Sequence, residues 1–107
     1  MFAHKYVTFQ HVAAEEPAEL TINTEMISSI GTRQQIQHSK LLNQEVHVAS
    51  WVIELSSNSV ITVKMECPCT DYDEQGNQID VDVDMAYDYF KELMKHKTIE
   101  VVFMCWE

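Results

Sequence analysis

An α+β fold is predicted for this chain: a mainly antiparallel sheet of five to seven strands with one amphipathic helix, about residues 85–96, packed on it. Three observations carry that prediction. Apolar and polar residues alternate with period two between turn signals, most regularly where Ile79, Val81 and Val83 interleave with Asp80, Asp82 and Asp84. A single stretch, Met85 to His96, repeats its apolar residues at helical spacing. The 107 residues suit one domain, 1–107, burying roughly two-thirds of its unfolded surface.

Lys5 to Val12 reads as the first strand, with Val7 and Phe9 on one face, stopped by the polar turn Ala13 to Glu19. Leu20-Thr21-Ile22 follows as a short strand, and Asn23 or Thr24 is placed to cap one helical turn through Met26 and Ile27. After Gly31 the chain extends again over Thr32 to Ile36. Gln34 to Gln44 has neither clear periodicity nor glycine or proline, so it reads as a long loop or as the outer part of a hairpin. The apolar phase changes near Ser50, between Val46-His47-Val48-Ala49 and Trp51, and a β-bulge is the expected cause.

Trp51 to Asp84 reads as a β-meander. If the apolar residues of its first hairpin share a face, Leu55 pairs with Ile61, Ile53 with Val63 and Trp51 with Met65. That parity demands a loop with an odd number of residues, and Ser57-Asn58-Ser59 with one left-handed residue satisfies it. A second hairpin covers residues 66–84, with Gly76 at the tip, where a positive φ is needed. Its last strand, Gln78 to Asp84, presents Ile79, Val81 and Val83 to the core and three aspartates to solvent.

The helix takes Asp84 as its N-cap. Met85, Ala86, Tyr89, Phe90, Leu93 and Met94 fall on one side, while Asp88, Lys91, Glu92 and Lys95 face out. Lys95, His96 and Lys97 suit the negative end of the helix dipole. The nearly unbroken β-branched and aromatic run Ile99 to Trp106 marks a strand covered on both faces.

The net charge of -10 comes from 17 acids against 7 bases, and nine of the acids lie in residues 66–92 with Lys91 as the sole base there. With a single arginine, Arg33, the chain lacks the cationic patch that direct nucleic-acid binding requires, and a basic partner protein is expected instead. Cys67, Cys69 and Cys105 form no disulfide framework. No apolar run reaches membrane-spanning length and Met1-Phe2-Ala3-His4-Lys5 lacks a signal-peptide core, so a soluble, cytoplasmic protein is expected.

The succession Leu20-Thr21-Ile22-Asn23-Thr24-Glu25-Met26-Ile27-Ser28-Ser29-Ile30, then the hairpin Val52 to Lys64, then Tyr87 to Met94 resembles the small FlbD-type proteins of flagellar operons and related short phage proteins. In that pattern a strand runs into one helical turn, a tight hairpin follows, and a helix closes the domain. This chain departs from it over residues 31–50, in the hairpin 66–84 and in the final strand. The resemblance implies a small, non-enzymatic, β-rich accessory protein and transfers no functional residue.

Asp71-x-Asp73-x-Gln75-Gly76, with Asp82 in twelfth place, has part of an EF-hand loop's spacing, but Gln75 and Gln78 break the pattern and no helix precedes it. A solvated acidic turn is the better reading. Cys67-Pro68-Cys69 is too closely spaced for a usual zinc knuckle, and no histidine stands at a matching interval. Cys67 and Cys105 are therefore expected to fill space as small apolar residues, and no metal or cofactor is expected. Gly31 and Gly76 stand alone, so there is no phosphate loop, and no nucleophile sits in a recognisable motif.

The sequence thus points to a binding protein rather than an enzyme. Its expected partner surface comprises Asp71, Asp73, Glu74, Asp80, Asp82, Asp84 and Asp88. Strand spacing would set Asp80, Asp82 and Asp84 about 6.8 Å apart, close to the axial advance of two phosphates on one DNA strand. Such a face would let an inhibitor of phage or other mobile-element origin occlude a basic, nucleic-acid-binding surface of a partner. The plainer reading is a charged edge that resists aggregation. The alternative function is a structural or oligomeric assembly subunit joined through the apolar run Ile99 to Trp106.

Overall fold

The computed structural model describes residues 2–107. Its strands are β1 (Tyr6–His11), β2 (Ala18–Asn23), β3 (Ile27–Ser39), β4 (Gln44–Leu55), β5 (Val60–Pro68), β6 (Thr70–Tyr72), β7 (Gln78–Asp80), β8 (Thr98–Val101) and β9 (Phe103–Trp106), with the helix α1 (Val83–Leu93) between β7 and β8. The fold is α+β and mostly antiparallel, as expected, with nine strands where five to seven were predicted. They form a four-stranded sheet β3-β4-β5-β9, a three-stranded sheet β2-β1-β8 and the small hairpin β6-β7. Only β1 and β8 pair in parallel among the described residues. No helix among those residues is long and apolar enough to cross a membrane.

Asn23 caps a short 3-10 turn, Thr24–Met26, by accepting the Glu25 N–H, as its position at the end of β2 suggests. Thr24 Oγ1 donates to the His4 carbonyl at 2.7 Å and ties the turn to the start of β1. The chain then runs directly into β3. Gln34 to Gln44 is the outer part of a hairpin, the second of the two predicted readings: Ser39 pairs with Gln44 across a turn in which Asn43 takes φ 52°.

No bulge interrupts β4 near Ser50. Its register with β3 and β5 is continuous from Val46 to Glu54. The apparent phase change has another origin: His47, Ala49, Trp51 and Ile53 are buried on one face, while Val46 and Val48 are buried on the other.

The first meander hairpin has the predicted parity but a register displaced by two residues. Ile53 pairs with Ile61, Trp51 with Val63 and Ala49 with Met65. The three-residue loop is Ser56-Ser57-Asn58, closed by the Leu55 N–H donating to the Ser59 carbonyl at 2.9 Å. Asn58 is the left-handed residue, at φ 69°. A loop of this type needs positive φ at its third position, and asparagine adopts it more readily than serine, so the turn settles where Asn58 is third.

The terminal apolar run is corrected too. It bends at Val102, whose N–H bonds the Lys64 carbonyl at 2.8 Å, while Val12 N–H bonds the Val101 carbonyl at 3.0 Å. The chain therefore passes from one sheet to the other at this corner. The bend shifts the side-chain phase, burying Ile99, Val101 and Met104 but leaving Phe103, Cys105 and Trp106 exposed. Each piece is covered on one face; the missing alternation was the signature of the bend.

One core joins both sheets and the helix: Val7 and Phe9 from β1, Trp51 and Ile53 from β4, Met65 from β5, Phe90 from α1 and Ile99 from β8 lie within it. Phe2 closes one end, edge-on to Phe9 and Trp51. Of the predicted apolar side of the helix, Ala86 and Phe90 are buried and Leu93 and Met94 half-buried, whereas Met85 and Tyr89 are exposed.

Candidate protein-interaction site

The acid-rich segment is built from short pieces. β6 and β7 pair Thr70 with Asp80 and Tyr72 with Gln78, and the chain turns through Glu74-Gln75-Gly76. Gly76 has φ 82°, and a Cβ there would meet no atom, so its requirement is conformational alone. Asp73 Oδ1 accepts the N–H groups of Gln75 and Asn77 at 2.9 and 2.8 Å, which shapes the tip. The segment with partial EF-hand spacing is thus a hairpin turn, with one Asp73 oxygen engaged by backbone.

The predicted strand Gln78 to Asp84 ends at Asp80, and the helix begins at Val83. Asp82, not Asp84, is the N-cap: its Oδ1 accepts the Met85 N–H at 2.8 Å. The strand stripe of Asp80, Asp82 and Asp84 is therefore not formed, and its resemblance to phosphate spacing lapses. Local capping outweighed alternation because Asp82 satisfies a helix N–H that another strand residue would leave unpaired.

All seven predicted acids are exposed. Asp71 shares a face of the small hairpin with Ile79, Asp80 lies on the opposite face with Thr70, and Asp73 and Glu74 occupy the tip. Asp84 and Asp88 are joined by Glu92 at intervals of four along α1, giving an acidic stripe with about 6 Å of axial rise between members. Glu92, outside the predicted set, completes this line and accepts from Lys95 Nζ at 3.1 Å. The helical interval was visible in the sequence once the helix was started two residues earlier.

Two hydrogen bonds to the backbone of Val81 fix the junction of β7 and α1. Val81 N–H donates to the Cys69 carbonyl at 2.8 Å, and buried His47 donates from Nε2 to the Val81 carbonyl at 2.6 Å. His47 Nδ1 is buried without a partner. Nothing in the spacing of the five histidines singled out His47; its burial follows from its pairing with Cys67 on the covered face of β4 and β5.

Cys67 lies in the core, Cys69 is half-buried, and Cys105 is exposed on β9 opposite Thr62, on the other face of the sheet from Cys67. Cys67 fills space as expected; Cys105 does not, because the bend at Val102 turns it outward. Burial first, then the charge of Asp71, raises the Cys67 thiol above its ordinary value; burial and then Glu45 do the same for Cys69. Both thiols are thereby kept protonated and weakly nucleophilic. Among the described residues, no three His, Cys, Asp or Glu side chains converge as metal ligands.

Comparisons with protein-family models, with curated protein sequences and with solved structures returned no match.

Proposed function

We propose that this chain is a non-enzymatic protein-binding module of the cytoplasm whose acidic end docks on a basic surface of a partner protein. The observation that carries the reading is the exposed stripe Asp84, Asp88 and Glu92, contiguous in sequence with the acidic hairpin. Like charges four apart on a helix cost stability, about 0.2–0.5 kcal/mol per pair, which a merely solubilising surface could avoid by alternating signs. Among the described residues the ion pairs are Lys5 with Glu25 and Lys95 with Glu92, so the seven predicted acids remain free to meet cations elsewhere. A partner that uses a Lys/Arg face to hold nucleic acid fits this surface, and blocking that face would make the chain an inhibitor of the phage or mobile-element kind.

The test is affinity capture from host lysate with wild-type protein and with Asp84→Asn/Asp88→Asn, variants that spare the cap and the tip. A partner held electrostatically is lost from the variant, and its affinity for the wild type falls steeply with salt. Equal recovery by both proteins, at low and high salt, refutes the reading.

A second reading, an assembly subunit joined through strands, is favoured by one observation: Trp106 is 56% exposed on β9, an edge of the larger sheet. Oligomeric state decides between the two.

A further inference from the structure

The two sheets separate at the Val102 corner and leave a notch between them. β9 flanks β5 only as far as Lys64, so from Met65 to Pro68 that side of β5 carries no strand among the described residues. β8 is the edge of the smaller sheet and pairs with β1 alone. Between these two edges lies a cavity of about 400 Å³. Met65, Tyr89 and Leu93 form its floor, and Thr98, Glu100 and Val102 of the β8 side form one wall. The turn between β3 and β4 supplies another.

One buried hydroxyl holds that turn in place. Ser39 shares the outer face of the larger sheet with Val46, Val48 and Glu66, because Gln37 pairs with Val46 and Val48 with Glu66. Its Oγ donates to Glu66 Oε2 at 2.7 Å and accepts the Leu42 N–H at 3.1 Å, which sets the turn beside the Glu66 carboxylate. Leu41 and Leu42 are both exposed there, and both line the cavity with Glu66. Glu66 itself is half-buried and in no ion pair among the described residues. The Ser39 hydroxyl has one proton to give, so most of the acceptor capacity of the carboxylate is left over. A carboxylate drawn partly out of water is stabilised most by a cation.

The lining identifies the occupant. It holds two carboxylates, Glu66 and Glu100, and no lysine or arginine. The charge of Glu100 is felt at the floor, where burial first, then Cys67 and Glu100, hold the Tyr89 hydroxyl above its ordinary value. Glu100 therefore adds to the negative potential of the cavity without having to touch a cation held by Glu66. An occupant that suits exposed leucines beside an unpaired carboxylate joins an apolar stem to a cationic head, as an arginine side chain does. We propose that the notch receives an arginine side chain of a partner protein, with its guanidinium on the Glu66 carboxylate and its methylene stem along Leu41 and Leu42. The planar guanidinium matches the two oxygens of one carboxylate, which the point charge of lysine does not. A different observation carries this site from the acidic stripe of α1, so either can fail without the other.

Titrating the blocked tripeptide acetyl-Gly-Arg-Gly-amide into the whole chain, followed by amide resonances, tests it. Saturable shifts are expected from Ser39 to Leu42 and at Glu66, and none with the peptide that carries citrulline, the neutral isostere of arginine. Glu66→Gln, which keeps an acceptor for the Ser39 hydroxyl, should weaken binding at least about threefold. Leu41→Ser, at an exposed position and with every charge in place, should weaken it too. At about 0.15 M salt, where distant charges are screened, Asp84→Asn/Asp88→Asn should leave it unchanged. No saturable shift, equal binding of the citrulline peptide, undiminished binding to Glu66→Gln or Leu41→Ser, or shifts that follow the acidic stripe instead would each overturn the proposal. So would tighter binding of free arginine than of the tripeptide, which would give the notch to a small molecule.

Discussion

His47 links the sheet to the acidic end through one atom. The Val81 carbonyl can only accept, so Nε2 donates to it, while Nδ1 is buried without a partner. Removing the donor would strand a carbonyl at the junction of β7 and α1, a loss of about 1–3 kcal/mol. Asparagine is too short to place its amide at the Nε2 position, whereas glutamine reaches it. His47→Asn is therefore expected to lower unfolding free energy in urea by about that amount, and His47→Gln by clearly less; equal losses would mean that packing rather than the bond is what His47 supplies. No spacing rule could have revealed this residue, because its role depends on strand register and on where the chain returns 34 residues later. The same holds for Asn58. Its preference for positive φ was readable, but its rank within the loop decided the register, and placing it second instead of third displaced every pair of the hairpin by two residues.

At the scale of elements, what was legible was periodicity and what was not was competition between neighbouring signals. β1, β2, β5 and the helix were readable because each shows one dominant period and one face in the core. Val81-Asp82-Val83-Asp84 shows two: alternation continues the strand, while aspartate before an apolar 3.6-residue pattern begins a helix. The helix prevails because the Asp82 carboxylate supplies an acceptor to Met85 N–H. Of the predicted site, all seven carboxylates are on the surface, but the line they form follows α1 through Asp84, Asp88 and Glu92 instead of a strand. Asp82→Ala should accordingly cost about 0.5–2 kcal/mol, as loss of a cap does. Asp84→Asn should stay within about 0.5 kcal/mol of wild type, because it exchanges a favourable dipole contact for relief of repulsion with Asp88. Urea titrations followed by helix circular dichroism separate the two, and a larger loss at Asp84 would return the cap to the position first read from alternation.

At the scale of the molecule, the fold sets a charge of -10 against two open edges of one sheet. β3 and β4 are the longest strands, and 13 residues of extended chain span about 43 Å, which accounts for a long axis of 47 Å. Two copies meeting through either edge would bring like net charges together, so assembly must overcome a repulsion that salt removes. Screening lengths fall from about 30 Å at 0.01 M to about 3 Å at 1 M salt, which turns ionic strength into a discriminator between the two readings of function. A binding module that offers its acidic stripe to a partner is expected to sediment as a monomer across that range. An assembly subunit joined through β9 is expected to dimerise progressively as salt rises, and Trp106→Glu, which adds charge at the exposed ring of that edge, should dissolve the dimer while R33E/K91E on β3 and α1 leaves it intact. Sedimentation equilibrium on these three proteins thus separates them: a salt-promoted dimer sensitive to Trp106 alone would move the conclusion to assembly through β9, and one sensitive to R33E/K91E would place the second copy at the β3 side of the sheet. A monomer throughout leaves the acidic stripe of α1 facing solvent, free to meet a partner of opposite charge.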